Sequence, residues 1–292
     1  MKGKLVSLPI VSGLPTLGSY ELPDLLLRAD ITSHLRTAGV QLSDMAEVPV
    51  HKLSGGPGPD PKALFLGQVA GIVSRGYDGL RNQLKSEDFP IFMGGDCCLS
   101  LATLREMTRL HDGLNLIWLD AHGDFNTPDT TPSGHIGGMV LAAVVGRGPE
   151  ELTSFAEPVP PVSEDRVGLM AIRDLDELEE VSLRESRVTA RLFETTGELR
   201  SGVAEFLDGS GGPVFVHLDV DSIDPRDVPH VNFPTPGGPR ITEVRRSLLE
   251  VAESGRMVGF EVASLDATQD KEASSARLIG RLVADVVSVA LG

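Results

Sequence analysis

The sequence predicts an α/β fold in which a largely parallel sheet is covered by helices on both faces. Three observations predict it. Short β-rich runs alternate with longer segments of helical period. The central runs are apolar almost without interruption, as strands buried on both faces are. Aspartates and a histidine collect where two of those runs end, which is where parallel sheets place their chemistry.

Seven runs read as strands: LVSLPIV (5–11), FPIFMGG (89–95), LNLIWLD (114–120), RVGLMAIRD (166–174), RVTARLF (187–193), PVFVHLDVD (213–221) and RMVGFEVASL (256–265). Between them the apolar spacing predicts helices over 61–87, 98–110, 197–209, 242–255 and 276–291. Thr242 is the expected N-cap of its helix and Gly255 the residue just past its end. Trp118, inside LNLIWL, is expected in the core rather than as a platform for a ligand. The Pro/Gly-rich stretches are too short to separate domains, and no internal repeat is present, so 1–292 is expected to form a single domain.

Composition narrows the partners. Hydrophobic residues make up 41% of the chain and charged residues 23%, a globular balance. The 42 acidic and 26 basic residues leave a net charge of -16 with no basic run, so nucleic acid is not an expected partner. The apolar start is broken by Ser12, Gly13 and Pro15, which argues against a signal peptide, and no long apolar stretch predicts a membrane span. Cys97 and Cys98, the only cysteines, are adjacent and poorly placed for a disulfide with each other, so a reducing, cytoplasmic compartment is expected.

The chemistry concentrates at two strand ends. LNLIWL runs into Asp120-Ala-His122-Gly-Asp124, and VFVHL runs into Asp219-Val-Asp221-Ser-Ile-Asp224-Pro225. Residues at i, i+2 and i+4 of an extended chain project to one side, so the two clusters can converge. Four carboxylates crowded with an imidazole repel one another until protons or cations neutralise them. Two divalent ions would cancel that charge, and an oxygen-rich donor set suits a hard cation such as Mn²⁺.

These residues resemble the arginase/agmatinase (ureohydrolase) family. Its GGDHS, DAHxDxN and D-x-D-x-x-D-P segments correspond here to GGDCC (94–98), DAHGDFN (120–126) and DVDSIDP (219–225), in the same order. The resemblance implies a three-layer α/β/α sandwich with a largely parallel eight-stranded sheet. It also implies a two-manganese centre that hydrolyses guanidino or amidino C–N bonds of a small molecule, and a homo-oligomer, trimer or hexamer. On the matching positions, Asp120 and Asp219 would bridge both metals, Asp124 would complete one site, and His122 with Asp221 the other. A hydroxide between the metals would attack, and Asp124 would pass its proton to the leaving amine. Asn126 and Ser133 match positions that bind a substrate α-carboxylate, and Asp176 one that recognises an α-amino group.

The chain departs from that pattern in three places. Cys97 stands where the family has a histidine ligand; as a thiolate it would favour Zn²⁺ or Fe²⁺ over Mn²⁺, and as a thiol it would simply pack. Cys98 is expected to pack. Gly137 replaces a proton-relaying histidine, while His135, two residues earlier, could approach the substrate and take a catalytic part. Ser264 stands where a glutamate pairs with the substrate guanidinium, and Phe233 replaces a threonine; Glu261, an odd number of residues away, should face the other side of its strand. The metal loop resembles a minority branch of the family that includes an Nω-hydroxy-L-arginine amidinohydrolase. Two readings stay open: a metal-dependent hydrolase of a guanidino, hydroxyguanidino or formimino compound of amino-acid type, and a catalytically weak ligand-binding or assembly subunit.

Overall fold

A computed structural model describes residues 1–13 and 16–292, so Pro15 lies outside it, and so do the side chains of 16 and 17. In chain order the elements are β1 (Lys2–Leu8), α1 (Leu22–Arg28), α2 (Ile31–Thr37), β2 (Ala46–Glu47), α3 (Leu66–Leu80), β3 (Asp88–Gly94), α4 (Ser100–Leu110), β4 (Asn115–Leu119), α5 (Val140–Val144) and α6 (Glu150–Thr153). They continue with β5 (Val167–Ile172), α7 (Glu177–Glu185), β6 (Thr189–Leu192), α8 (Glu198–Gly209), β7 (Val214–Asp219), α9 (Ile241–Glu253), β8 (Met257–Ala263) and α10 (Ser274–Leu291).

The strands form one eight-stranded sheet in the order β2-β1-β3-β8-β7-β4-β5-β6, and every pairing is parallel. Alternation along each strand feeds two separate cores. Ile117, Leu119, Val216 and Leu218 face α1, α2, α8, α9 and α10, while Leu116, Trp118 and Phe215 face α3 to α6. The expected three-layer α/β/α sandwich is therefore present.

Boundaries shift where tertiary contacts override local pattern. The first strand stops at Leu8, one residue before Pro9, which has no N–H to give a ladder. The long helical stretch shortens to α3, which follows Phe65 in a left-handed conformation. Thr242 is not an N-cap: the helix begins at Ile241, whose N–H donates to the Asp227 carboxylate at 2.9 Å, while Arg240 pairs with the same group. The cap comes from across the loop, which sequence spacing cannot show. Gly255 does sit past the helix end, at φ 66°. No expectation covered β2, only two residues long, or the seven-residue α1 and α2.

Candidate active site

Because all strands run one way, their carboxyl ends share one edge of the sheet, and a cleft lies there. β4 and β7 are neighbours, pairing Leu119 with Leu218, so the acidic motifs that follow them emerge side by side. The 3₁₀ turn Cys97–Leu99 after β3 and the chain leaving β8 close the inner wall. Arg173, beyond β5, ties the edge together by donating to the carbonyls of Asp221 at 2.8 Å and Thr235 at 2.7 Å.

Each carboxylate is anchored by backbone at its strand end. Asp120 Oδ1 accepts from the His122 N–H at 2.8 Å, Asp219 Oδ1 from Asp221 at 2.9 Å, and Asp221 Oδ1 from Ala121 at 3.2 Å. Two of these bonds are local turns and the third crosses from the loop after β4, and together they fix one oxygen of each group. His122 Nδ1 then lies 3.3 Å from Asp120 Oδ1 and 3.2 Å from Asp221 Oδ2. On the inner side Cys97 Sγ lies 2.9 Å from Asp219 Oδ2, 3.9 Å from Asp120 Oδ2 and 3.5 Å from His217 Nε2.

Two donor groups result: Cys97, Asp120, His217 and Asp219, and Asp120, His122 and Asp221, the donor atoms of each lying within 4.8 Å of one another. Asp120 belongs to both. Asp124, at φ 48°, joins neither group, yet its buried Oδ2 has no hydrogen-bond partner. A buried carboxylate oxygen without a donor is costly, and here it faces an acidic cluster that would itself be neutralised by cations. The residues present therefore fit a binuclear divalent site.

Without cations, protons neutralise the cluster. Burial, reinforced by Asp120, pushes the Asp124 carboxyl well above the usual range, and burial with Asp221 and Asp120 does the same to Asp219. Burial opposes the His122 imidazolium, but Asp221 and Asp120 outweigh it and push its pKa up to about 12. Burial also raises Cys97, followed by repulsion from Asp219, Asp124 and Asp120. Two cations would displace these protons.

The expected site residues converge. Cys97, Asp120, His122, Asp124, Asn126, Ser133, His135, Asp176, Asp219, Asp221 and Ser264 line one cavity of about 200 Å³. Toward its mouth Asn126 Nδ2 donates to Asp176 Oδ2 at 2.9 Å, while Asp176 also caps α7 in a reciprocal pair with Glu179. Ser133 Oγ accepts from the His135 N–H at 3.2 Å. His135 Nε2 lies 2.8 Å from Ser12 Oγ, and Ser12 N–H donates to Asp96 at 2.6 Å. Gly137 makes this possible, since a Cβ there would stand 2.7 Å from His135 Cε1. Phe233, 38% exposed, packs beside His135 at the entrance.

Ser264, at φ 72°, turns its hydroxyl onto Asp219 Oδ2 instead of out into the cleft. Glu261 faces away from the cleft, as strand alternation requires, and bonds His217, Ser100 and Thr103 beneath the inner donors. Sequence reading missed His217. Its place two residues before Asp219 on the same strand was the available signal. The expectation for Trp118 was incomplete: it is fully buried, but its indole N–H donates to Asp120 Oδ2 at 3.0 Å and its ring stacks on His217 at 3.7 Å.

Comparison with known proteins adds that residues 15–288 match the model of the Arginase family. The arginase of Bacillus subtilis (strain 168) is 27% identical over 285 residues, covering 96% of this chain and 95% of that protein. An N(omega)-hydroxy-L-arginine amidinohydrolase of Streptomyces lavendulae is 28% identical over 221 residues, 75% of this chain and 77% of its own length. The native structure of arginase from Bacillus caldovelox superposes with a TM-score of 0.89 at 26% identity, over 98% of this chain and 97% of that one.

Proposed function

The chain is an enzyme of the arginase family, and from that premise we propose that it hydrolyses a linear C–N bond in a guanidino, hydroxyguanidino or formimino compound of amino-acid type. The unpartnered Asp124 Oδ2 among converging donors carries this reading, because a free acceptor there would take a proton from water beside the substrate. Asp120, His122 and Asp221 would hold one divalent cation, and Asp120 and Asp219 with the Cys97 side the other, Mn²⁺ suiting the oxygen-rich half. When bound, two such cations lower the pKa of water and polarise the amidine carbon.

The chain's own residues do the rest. Asp124 Oδ2 receives a proton as water oxygen bonds to the amidine carbon, and returns it to the leaving nitrogen as the C–N bond breaks. His135, held by Ser12, and the linked pair Asn126 and Asp176 face the same cavity, where they would orient the polar end of the substrate, with Ser133 beside them. Ser264, its hydroxyl turned onto Asp219, stands where the family resemblance would put a carboxylate to pair with a guanidinium, which favours a substrate whose reacting end is less dependent on an ion pair. Losing such a buried partner costs about 3–5 kcal/mol unless replaced. We read 1–292 as one unit, since both cores share one sheet. The buried, unpaired Cys97 and Cys98 support a cytoplasmic setting, and trimeric or hexameric assembly would be read by light scattering.

The test is turnover. Chelator-stripped protein is reloaded with Mn²⁺, Zn²⁺, Fe²⁺ or Co²⁺ and assayed for urea or ammonia release from arginine, hydroxyarginine, agmatine and formimino amino acids. Release from one of them, restored by metal, is expected. Protein holding two cations per chain that turns over none would instead favour a binding or assembly role.

A further inference from the structure

We propose that His217 supplies the nitrogen ligand of the cation site that Cys97 faces, and that this half of the centre takes a borderline-soft cation such as Zn²⁺ or Fe²⁺ in preference to Mn²⁺. The inference rests on the binuclear reading above but not on any substrate. It assigns to β7 an imidazole that the loop after β3, with Cys97 in place of histidine, no longer provides.

The first support is geometric. One donor atom each from Cys97, Asp120, His217 and Asp219 falls within 4.8 Å of the others. Tetrahedral bonds of about 2.0–2.3 Å place neighbouring donors about 3.3–3.8 Å apart. The separation of 3.5 Å from Cys97 Sγ to His217 Nε2 fits that spacing, and the 3.9 Å to Asp120 Oδ2 lies just above it. The 2.9 Å between Cys97 Sγ and Asp219 Oδ2 is shorter, as expected where a thiol donates directly to a carboxylate.

The second support is the proton on the ring. His217 Nδ1 lies 2.6 Å from Glu261 Oε1, and Glu261 also accepts from the Ser100 and Thr103 hydroxyls. A carboxylate surrounded by donors keeps the imidazole proton on Nδ1, which leaves the Nε2 lone pair directed toward Cys97 Sγ. Carboxylate–histidine–metal triads are built this way. Trp118, stacked at 3.7 Å and 19°, fixes the plane of the ring.

The third support is a shortage of donors. Cys97 has a single S–H, yet both Asp219 Oδ2 and His217 Nε2 stand within its reach. If it serves Asp219, which also accepts from the Ser264 hydroxyl, the buried His217 Nε2 is left without that donor, and a cation would satisfy it.

Metal spectroscopy on the full-length protein tests this. Co²⁺-loaded wild type should show a thiolate-to-cobalt charge-transfer band in the near ultraviolet, absent from Cys97→Ser. His217→Gln should fall from two cations per chain to about one, and Glu261→Gln should bind the inner cation about 10- to 100-fold more weakly. X-ray absorption of the Zn²⁺-loaded wild type, which needs no variant to fold, should resolve sulfur and imidazole scatterers on the same ion. Oxygen scatterers alone, or a His217→Gln protein with two cations and an unaltered band, would overturn the inference while leaving the hydrolase reading intact. A sulfur- and imidazole-bound cation in a protein inactive on every substrate would uphold the inference and count against the hydrolase reading. Wild type that binds no cation would sink both.

Discussion

The two halves of the donor cluster are built to different rules. The outer half, Asp120, His122 and Asp221, is oxygen-rich and borders the cleft, with the His122 side chain 27% exposed. The inner half, Cys97, His217 and Asp219, mixes sulfur, nitrogen and oxygen under the sheet edge, with His217 and Glu261 wholly buried. The outer half joins the ends of β4 and β7, where the His122 N–H donates to Asp120 and the Ala121 N–H reaches across to Asp221. The inner half depends on strand register, β7 setting His217 beside Glu261 of β8. The difference teaches that one cleft can join an oxygen-rich donor group at its border to a mixed donor group set by the pairing of β7 with β8.

The largest effect should come from the residue both halves share. Asp120→Asn removes a charge from each donor group, and turnover should fall by at least about 10³-fold, roughly 4 kcal/mol of transition-state stabilisation. Metal analysis should find fewer than one cation per chain. Retention of two would show that the halves do not depend on a common carboxylate.

Removing metal separates the halves by rate. Chelator should strip the exposed outer site first and the buried inner site about 10²-fold more slowly, a barrier difference of roughly 2.7 kcal/mol. Asp221→Asn should abolish the fast phase alone, and Cys97→Ser the slow phase alone. A single phase in the wild type would break the distinction.

Much of the outer half was legible in sequence because its information is local. Asp120, His122 and Asp124 after β4, and Asp219 and Asp221 at the end of β7, were legible from their strand-end position, although Val220–Ser222 form a 3₁₀ turn and Asp124 stands at φ 48°, so extended alternation does not run through them. Asn126, Ser133 and Asp176 came from resemblance to family motifs and His135 from a departure beside Gly137, and the structure gathers them in the same cavity. The sheet was legible from its apolar runs, apart from the two-residue β2. What escaped depends on three-dimensional neighbours: the partnership of His217 with Glu261, the indole of Trp118 on Asp120, and the cap that Asp227 gives to α9. Periodicity places each of these residues on a face but does not name the strand or loop opposite.

The floor of the outer half should also show in stability. Glu179 accepts from the N–H groups of Phe125 and Asp176, joining the acidic loop after β4 to α7. Burial pushes its pKa up from 4.5 to about 7, against the backbone donors that favour its charge. The native state thus keeps a proton that the unfolded chain loses earlier. Stability is then highest at low pH as far as this group is concerned, declines as pH rises above about 4.5, and levels off near 7. In chelator-treated protein, Glu179→Gln should flatten this decline by on the order of 2 kcal/mol, read from urea midpoints across that range. An unchanged slope would place the titration elsewhere.

The smallest effect belongs to the cleft mouth, where His135 folds into the space beside Gly137. A methyl group there would stand 2.7 Å from His135 Cε1 and 3.2 Å from Ser12 Oγ, so Gly137→Ala must turn the ring off its Ser12 contact. Neither residue belongs to a donor group, so both cations should stay bound while turnover falls about tenfold, roughly 1.4 kcal/mol. His135→Gln should lose a similar amount, and the double variant little more, because the two changes remove one function. If the losses multiplied, Gly137 would act on the cleft independently of the histidine. If metal content fell with Gly137→Ala, the mouth and the outer half would be a single mechanical unit rather than neighbours.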